Sequence, residues 1–113
     1  TILEGVNNRM KVAQEEIFGP VVCAIPFKNQ EDLSRHANDT VYGLSAGIWT
    51  RDIGKAHRLA KEIKAGTIWV NSYNCFDAAS PFGGFKQSGF GRELGKYALE
   101  LYTQVKSVWV SLD

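Results

Sequence analysis

An α/β layer with parallel strands is the fold class this sequence predicts. Three observations carry that reading. Residues 21–70 alternate strand, helix, strand, helix, strand in their apolar patterning. The joining segments are short, as βαβ units require, and a helical crossover leaves successive strands parallel. The second helical stretch has one apolar stripe opposite a polar face, the pattern of a helix laid on a sheet.

Residues 1–15 mix apolar and polar side chains without a clear period. The first strand is residues 21–27, Val21-Val22-Cys23-Ala24-Ile25-Pro26-Phe27, bounded by Gly19-Pro20 and Lys28-Asn29-Gln30. Its β-branched start suits a buried strand, and Pro26, lacking an amide donor, marks an edge or an exit. Asn29 is the expected cap of a helix over residues 30–38, where Leu33 and Ala37 stack one turn apart. Residues 44–50 read as the second strand, ending near Trp49. Asp52 caps the next helix. Ile53, Ala56, Leu59, Ala60 and Ile63 draw its stripe, while Lys55, Arg58, Lys61 and Glu62 take the wet face. Gly66 is expected to stop it in the left-handed conformation, and residues 67–70 follow as a strand. Residues 71–92 hold Asn, Ser, Gly and aromatics without a sustained period. So long an irregular stretch in a compact domain is more often functional or interface-forming. A last helix is expected from Glu93, with Leu94, Tyr97, Ala98 and Leu101 on one face. Residues 105–112 then read as a closing strand, with Val108, Val110 and Leu112 alternating on one side.

The 113 residues suffice for one domain at most. At 44% apolar and 22% charged, the composition is that of a soluble globular chain. Thirteen basic and twelve acidic residues leave a net charge of +1, so there is no electrostatic case for nucleic acid or a membrane surface. No apolar run approaches the ~20 residues needed to span a bilayer. Three Trp, four Tyr and six Phe argue against disorder. The chain opens at Thr1-Ile2-Leu3 with no secretory pattern, like a piece of something longer. Cys23 and Cys75 are too few for a disulfide scaffold and lack zinc spacing, so the expectation is a reducing, cytoplasmic compartment and no metal site.

Glycines 83, 84, 89, 91 and 95 crowd thirteen positions. Gly84-Phe85-Lys86-Gln87-Ser88-Gly89 has the glycine spacing of a phosphate loop but lacks the Lys-Ser/Thr that would follow. Gly89-Phe90-Gly91 begins like a dinucleotide fingerprint, yet Leu94 stands where the third glycine belongs. These glycines are read as serving turns and close packing. Adjacent Glu15 and Glu16 do not share a helix face and so form no acid–base dyad. A single carboxylate beside Phe18 and the Gly19-Pro20 turn can hold two sugar hydroxyls while the ring packs on a base; the alternative is a pair of solvated acids at a helix end. His36 and His57 are expected at surface or half-buried helix positions, with no Cys or Asp at ligand spacing. Cys75 has no histidine nearby in sequence to activate it as a nucleophile. Phe76, Phe82, Phe85 and Phe90 either fill gaps between elements or line an apolar pocket.

Five strings then add a resemblance. They are Glu15-Glu16-Ile17-Phe18-Gly19-Pro20-Val21, Tyr42-Gly43-Leu44-Ser45-Ala46, Ala65-Gly66-Thr67-Ile68-Trp69-Val70-Asn71, Ser80-Pro81-Phe82-Gly83-Gly84-Phe85-Lys86-Gln87-Ser88-Gly89 and Gly91-Arg92-Glu93-Leu94-Gly95. In this order and near this spacing they resemble the C-terminal quarter of the NAD(P)-dependent aldehyde dehydrogenase superfamily. The resemblance implies part of an open parallel-sheet catalytic domain over residues 1–104, ending in an oligomerisation strand over residues 105–113. It implies oxidation of aldehydes to carboxylic acids with NAD or NADP. In the family a cysteine thiolate attacks the aldehyde within an oxyanion hole, hydride passes to the nicotinamide, and glutamate-activated water hydrolyses the thioester. By the same resemblance Glu16 matches the acid on the nicotinamide ribose, Phe18 the aromatic beside the nicotinamide end, and Leu44 a residue near the ring. Phe76 and Phe82 match the lining of the substrate tunnel, with Asn74 and Cys75 close to its mouth. Lys86 and Gly89 look like positions that supply a structural cation site between subunits in the betaine aldehyde branch. The last strand implies a homo-oligomer, dimer or tetramer.

The family's Gly-Gln-x-Cys and Glu-Leu-Gly-Gly strings, its Rossmann segment and its oxyanion asparagine are missing; Glu93-Leu94-Gly95 is followed by Lys96. The expectation is therefore a portion of the enzyme with no catalytic residue of its own, inactive alone. Two other readings stand beside it: a truncated, non-catalytic assembly module that pairs through its last strand, and a redox or thiol role for Cys75.

Overall fold

A computed structural model describes residues 1–113. Ten short elements follow one another: β1 (Ile2–Leu3), α1 (Lys11–Gln14), β2 (Val22–Cys23), α2 (Gln30–Asn38), β3 (Tyr42–Gly43), β4 (Ser45–Ile48), α3 (Ile53–Glu62), β5 (Thr67–Val70), β6 (Phe85–Lys86) and α4 (Tyr97–Tyr102). The strands pair two by two. β1 and β2 are parallel, β4 and β5 are parallel, and β3 and β6 are antiparallel. The unit β4–α3–β5 is the predicted βαβ crossover, in register from Ser45 opposite Thr67 to Ile48 opposite Val70.

Local chemistry accounts for the two longer helices. The Asn29 side chain accepts from the Asp32 amide at 2.9 Å, and the Asp52 side chain accepts from the Lys55 amide at 3.0 Å. Each bond satisfies one amide left without an intrahelical partner. The stripe of α3 then seats Leu59, and just beyond it Ile63, against Ile48 and Ala65, with Leu33, Ala46, Ala60 and Ile68 packed around them. Full burial of an aliphatic side chain of this size contributes about 1.5–3 kcal/mol. Ile53, the first residue of the predicted stripe, stays exposed.

Several expectations are corrected. The strand expected over residues 21–27 is paired only at Val22 and Cys23, against Ile2 and Leu3. Gly66 is not left-handed: α3 stops at Glu62, and Ile63 is already extended. Glycine is needed at 66 for close approach instead, since a Cβ there would lie 1.6 Å from the Gly83 carbonyl oxygen. The last helix begins at Tyr97 rather than Glu93, because Glu93 and Phe82 exchange two backbone hydrogen bonds of 2.7 Å. Leu94 and Gly95 then take positive φ, 62° and 57°, which turns the chain before α4. Residues 105–112 form no ladder within the chain, and a strand needs a partner.

Only 8 of 113 residues are buried. The radius of gyration is 19.1 Å, against roughly 13 Å for a compact domain of about this length. The molecule thus presents apolar faces that its own chain does not cover. No helix is long and apolar enough to cross a membrane.

Candidate functional site

Two adjoining grooves gather Glu16, Leu44 and Phe82 from the residues singled out above. The first, of 500 Å³, is lined by Glu15, Glu16, Thr40, Tyr42, Leu44, Gln87 and Ser88, with Ala13 and Gln14 at its end. Glu16 reaches it because α1 stops at Gln14 and the chain then folds through two tight bends. In these the Gly19 amide donates to the Ile17 carbonyl at 2.9 Å and the Val21 amide to the Gly19 carbonyl at 2.8 Å. The two neighbouring acids part company here. Glu15 pairs with Lys11 at 3.6 Å, whereas the Glu16 carboxylate has no hydrogen-bond or ion-pair partner in the chain. An exposed carboxylate with free lone pairs at a groove is an acceptor for hydroxyl donors.

The second groove, of 280 Å³, includes Leu44, Phe82, Gly84, Ser88, Arg92 and Glu93 in its lining. Leu44 and Ser88 belong to both grooves and form the wall between them. That wall is pinned by the backbone. The Gly43 amide donates to Ser88 Oγ at 2.9 Å, the Gly66 amide to the Gly43 carbonyl at 3.1 Å, and the Thr67 amide to the Leu44 carbonyl at 3.2 Å. On the far side Arg92 clasps the glycine turn, donating to the carbonyls of Gly84 at 3.1 Å and Gly91 at 2.6 Å, with its guanidinium 5.4 Å from the Phe85 ring centre.

The irregular stretch is ordered by aromatic edges. Trp69 on β5 donates its indole N–H to the Cys75 carbonyl at 2.8 Å. Its ring meets Tyr73 at 5.2 Å and Phe76 at 5.7 Å, and Phe76 meets Phe82 at 5.0 Å, all edge to face. Such pairs add about 0.5–1.5 kcal/mol each beyond their buried area. Phe76 and Phe82 are thereby brought together, though of the two only Phe82 lines a groove.

Phe18 is not brought to either groove; it is 95% exposed beyond the bend. Cys75 is exposed, its sulfur 3.7 Å from the Tyr73 carbonyl with no base beside it, and half-buried Cys23 donates to the Val12 carbonyl at 3.6 Å. Lys86 turns its ammonium to the C-terminal end of α2, donating to the Asn38 carbonyl at 3.0 Å and the Thr40 carbonyl at 2.9 Å. A larger groove of 670 Å³, with Phe27, Leu33, Ile48, Trp49 and Leu59 among its lining, holds no acid and no thiol. It is an uncovered core face rather than a reaction site.

Charge is tuned away from the grooves. The Lys28 amide, then the Arg35 guanidinium, hold the Asp32 carboxyl below the ordinary aspartate range. The Lys55 amide does the same for Asp52. His36 Nε2 lies 3.2 Å from Asp32 Oδ1, so an aspartate does stand one helical turn from this histidine, contrary to the expectation from spacing. Sequence reasoning also missed Ser88 and Arg92. Both act through carbonyls and amides distant in sequence or in irregular backbone, which residue type alone does not announce.

The model of the aldehyde dehydrogenase family matches residues 1–108. Retinaldehyde dehydrogenase 3 of Rattus norvegicus is 52% identical over all 113 residues, which span 22% of its length. An aldehyde dehydrogenase of Aspergillus niger is 56% identical over 108 residues, 96% of this chain and 22% of its own. Among solved structures, the NAD+ complex of an aldehyde dehydrogenase from Bacillus cereus superposes with a TM-score of 0.93 at 53% identity, covering 99% of this chain and 23% of that one. The chain therefore spans under a quarter of the length of the relatives it matches.

Proposed function

This chain belongs to the aldehyde dehydrogenase family, and on that premise we propose that it forms the C-terminal portion of an enzyme oxidising aldehydes to carboxylic acids with NAD or NADP. The reaction runs through a cysteine thioester, with the cysteine supplied outside these 113 residues. Neither thiol of this chain has a base beside it. The single observation that carries the reading is the shared groove: an unpaired Glu16 carboxylate faces the same 500 Å³ space as Leu44. These residues fit a nicotinamide ribose, because a carboxylate can accept from two vicinal hydroxyls at once. Glu16 holds the sugar and Leu44 gives an apolar surface beside it. Phe76 and Phe82 shape an apolar tunnel on the other side of the Leu44 wall, favouring aliphatic or aromatic aldehydes over highly polar ones. Bound nicotinamide dinucleotide supplies the hydride acceptor. We place the protein in the cytoplasm.

The test is Glu16→Gln in the full-length protein, with NAD+ reduction followed under aldehyde saturation. A charge-assisted hydrogen bond contributes about 1.5–3 kcal/mol, so KM for NAD+ is expected to rise on the order of ten-fold or more. An unchanged KM removes the assignment of Glu16.

The assembly reading draws on a different observation. Val105, Trp109 and Leu112 are 105%, 93% and 95% exposed on a segment without a ladder. Such a segment is completed by strand addition to another copy. Both readings therefore include a homo-oligomer held through residues 105–113. Deleting those residues should shift the full-length protein to smaller species in sedimentation velocity while its circular dichroism is retained. An unchanged sedimentation coefficient ends the oligomer proposal.

A further inference from the structure

We propose that Ser88 is a positioning residue for the nicotinamide side of the cleft, acting through the Gly43 amide on Leu44. The inference rests on the reading of Glu16 and Leu44 given above. Its observations are its own.

Gly43 sits where three segments converge. A Cβ there would come within 2.4 Å of the Lys64 carbonyl oxygen and 3.1 Å of Phe85 Cβ. The backbone is therefore pressed between the end of α3 and β6, and both of its polar groups are engaged. Its carbonyl takes the Gly66 amide at 3.1 Å, and its amide reaches Ser88 Oγ at 2.9 Å, a partly buried bond across 45 residues of sequence. The next residue is Leu44, whose own carbonyl is held by Thr67 at 3.2 Å. Leu44 is thus fixed on one side by β5, and the strand just before it is held by its pairing with β6 and by one side chain, Ser88.

Ser88 is itself held firmly. Its amide donates to the Phe85 carbonyl at 3.1 Å, and the turn closes so tightly that a Cβ on Gly84 would lie 2.5 Å from Ser88 Cβ. The rigid turn carries the hydroxyl, the hydroxyl carries Gly43, and Gly43 sets where Leu44 stands between the two grooves. Removing the acceptor leaves a partly buried amide unpaired and loosens one of the ties on the backbone just before Leu44. The Ser88 hydroxyl also keeps its own proton free to donate, since no acceptor in the chain takes it.

The test uses the full-length enzyme and four proteins: wild type, Ser88→Ala, Leu44→Ala and the double variant. For Ser88→Ala the expected result is a rise in KM for NAD+ on the order of ten-fold, the scale of one unsatisfied amide, with KM for the aldehyde changed far less. In the Leu44→Ala background the same substitution should change KM for NAD+ by less than half as much on a logarithmic scale, because the residue through which Ser88 acts is gone. Ser88→Cys, which keeps an acceptor at Oγ's position, should recover part of the loss. Fully additive effects of Ser88→Ala and Leu44→Ala overturn the proposal, as does an unchanged KM for NAD+. If Ser88→Ala does not fold, Ser88→Gly, which also lacks the acceptor, decides the matter: KM for NAD+ equal to wild type overturns it, and a rise supports it. A wild-type protein that reduces no NAD+ with any aldehyde overturns the functional reading and this inference together. An active wild type with an indifferent Ser88→Ala overturns this inference alone.

Discussion

Gly66→Ala is the substitution that best probes how the fold builds the site. A Cβ at 66 would lie 1.6 Å from the Gly83 carbonyl oxygen and 2.8 Å from its carbonyl carbon, both backbone atoms with no rotamer to escape into. Cβ atoms essentially never sit closer than 3.0 Å, so the Gly83 peptide must retreat by more than an ångström. That peptide adjoins Phe82, which exchanges two 2.7 Å hydrogen bonds with Glu93 and stacks edge to face on Phe76 at 5.0 Å. It also adjoins Gly84, whose carbonyl takes Arg92 at 3.1 Å. Overpacking a well-packed position costs about 1–3 kcal/mol, and loss of the two Phe82–Glu93 hydrogen bonds adds about 1 kcal/mol each, which together amount to roughly 3–5 kcal/mol. The assay is residual aldehyde oxidation after heating, with Gly19→Ala as the control. A Cβ at Gly19 meets nothing nearer than Ile17 Cγ2 at 3.9 Å, so that variant should match wild type. Gly66→Ala is expected to inactivate many degrees lower and to lose activity before it unfolds. A Gly66→Ala enzyme indistinguishable from the Gly19→Ala control would refute the packing argument.

Two further perturbations separate stability from specificity. Asp32 is held below its ordinary range chiefly by the Lys28 amide and then by Arg35, so its contribution to stability is present above the unfolded value and lost as pH falls through the folded one. The gap in urea midpoint between wild type and Asp32→Asn should therefore shrink on acidification; a gap independent of pH would contradict this. Phe82→Ala removes one member of the 5.0 Å pair with Phe76 and widens the proposed tunnel. The ratio of kcat/KM for a bulky over a small aldehyde should change roughly ten-fold, and an unchanged ratio would deny Phe82 any part in substrate choice.

Signals confined to a few neighbouring residues were legible in the sequence. Asn29 and Asp52 cap their helices because a cap needs only the residue and an amide three positions on. The α3 stripe and the β4–β5 pairing follow from periodicity over ten and four residues. The two-residue strands β1, β3 and β6 were not legible, since two residues carry no period and their partners lie far off in the chain, and β2 was legible only as part of a longer run, residues 21–27. Glu93 reads as a helix-start acid, and nothing local reveals that Phe82 claims its backbone first. The pairing of Asp32 with His36 is legible at i,i+4, a helix-face spacing. At the site, Glu16 is singled out by the acid, the aromatic and the sharp bend that follow one another, with solvated acids as the alternative, and its ribose role comes only from the resemblance. Ser88 is not, because its role is a bond to an amide 45 residues away.

The same contrast explains why the grooves look unfinished. Small-molecule sites generally bury most of their ligand. Here Glu16, Tyr42, Leu44 and Gln87 are all exposed, and of the residues lining the two grooves only Gly84 is buried. What the chain does build firmly is the wall between them, where Gly43, Leu44 and Ser88 are tied to β5 and to the glycine turn. A wall made rigid by backbone bonds while its flanks stay open keeps its shape whether or not a ligand is present. On the proposed reading, this lets one leucine divide ribose from aldehyde. The surfaces that would close over both are then contributed by chain that packs against the exposed faces. The binding free energy of the cofactor would come largely from them, and the geometry of transfer from the wall described here.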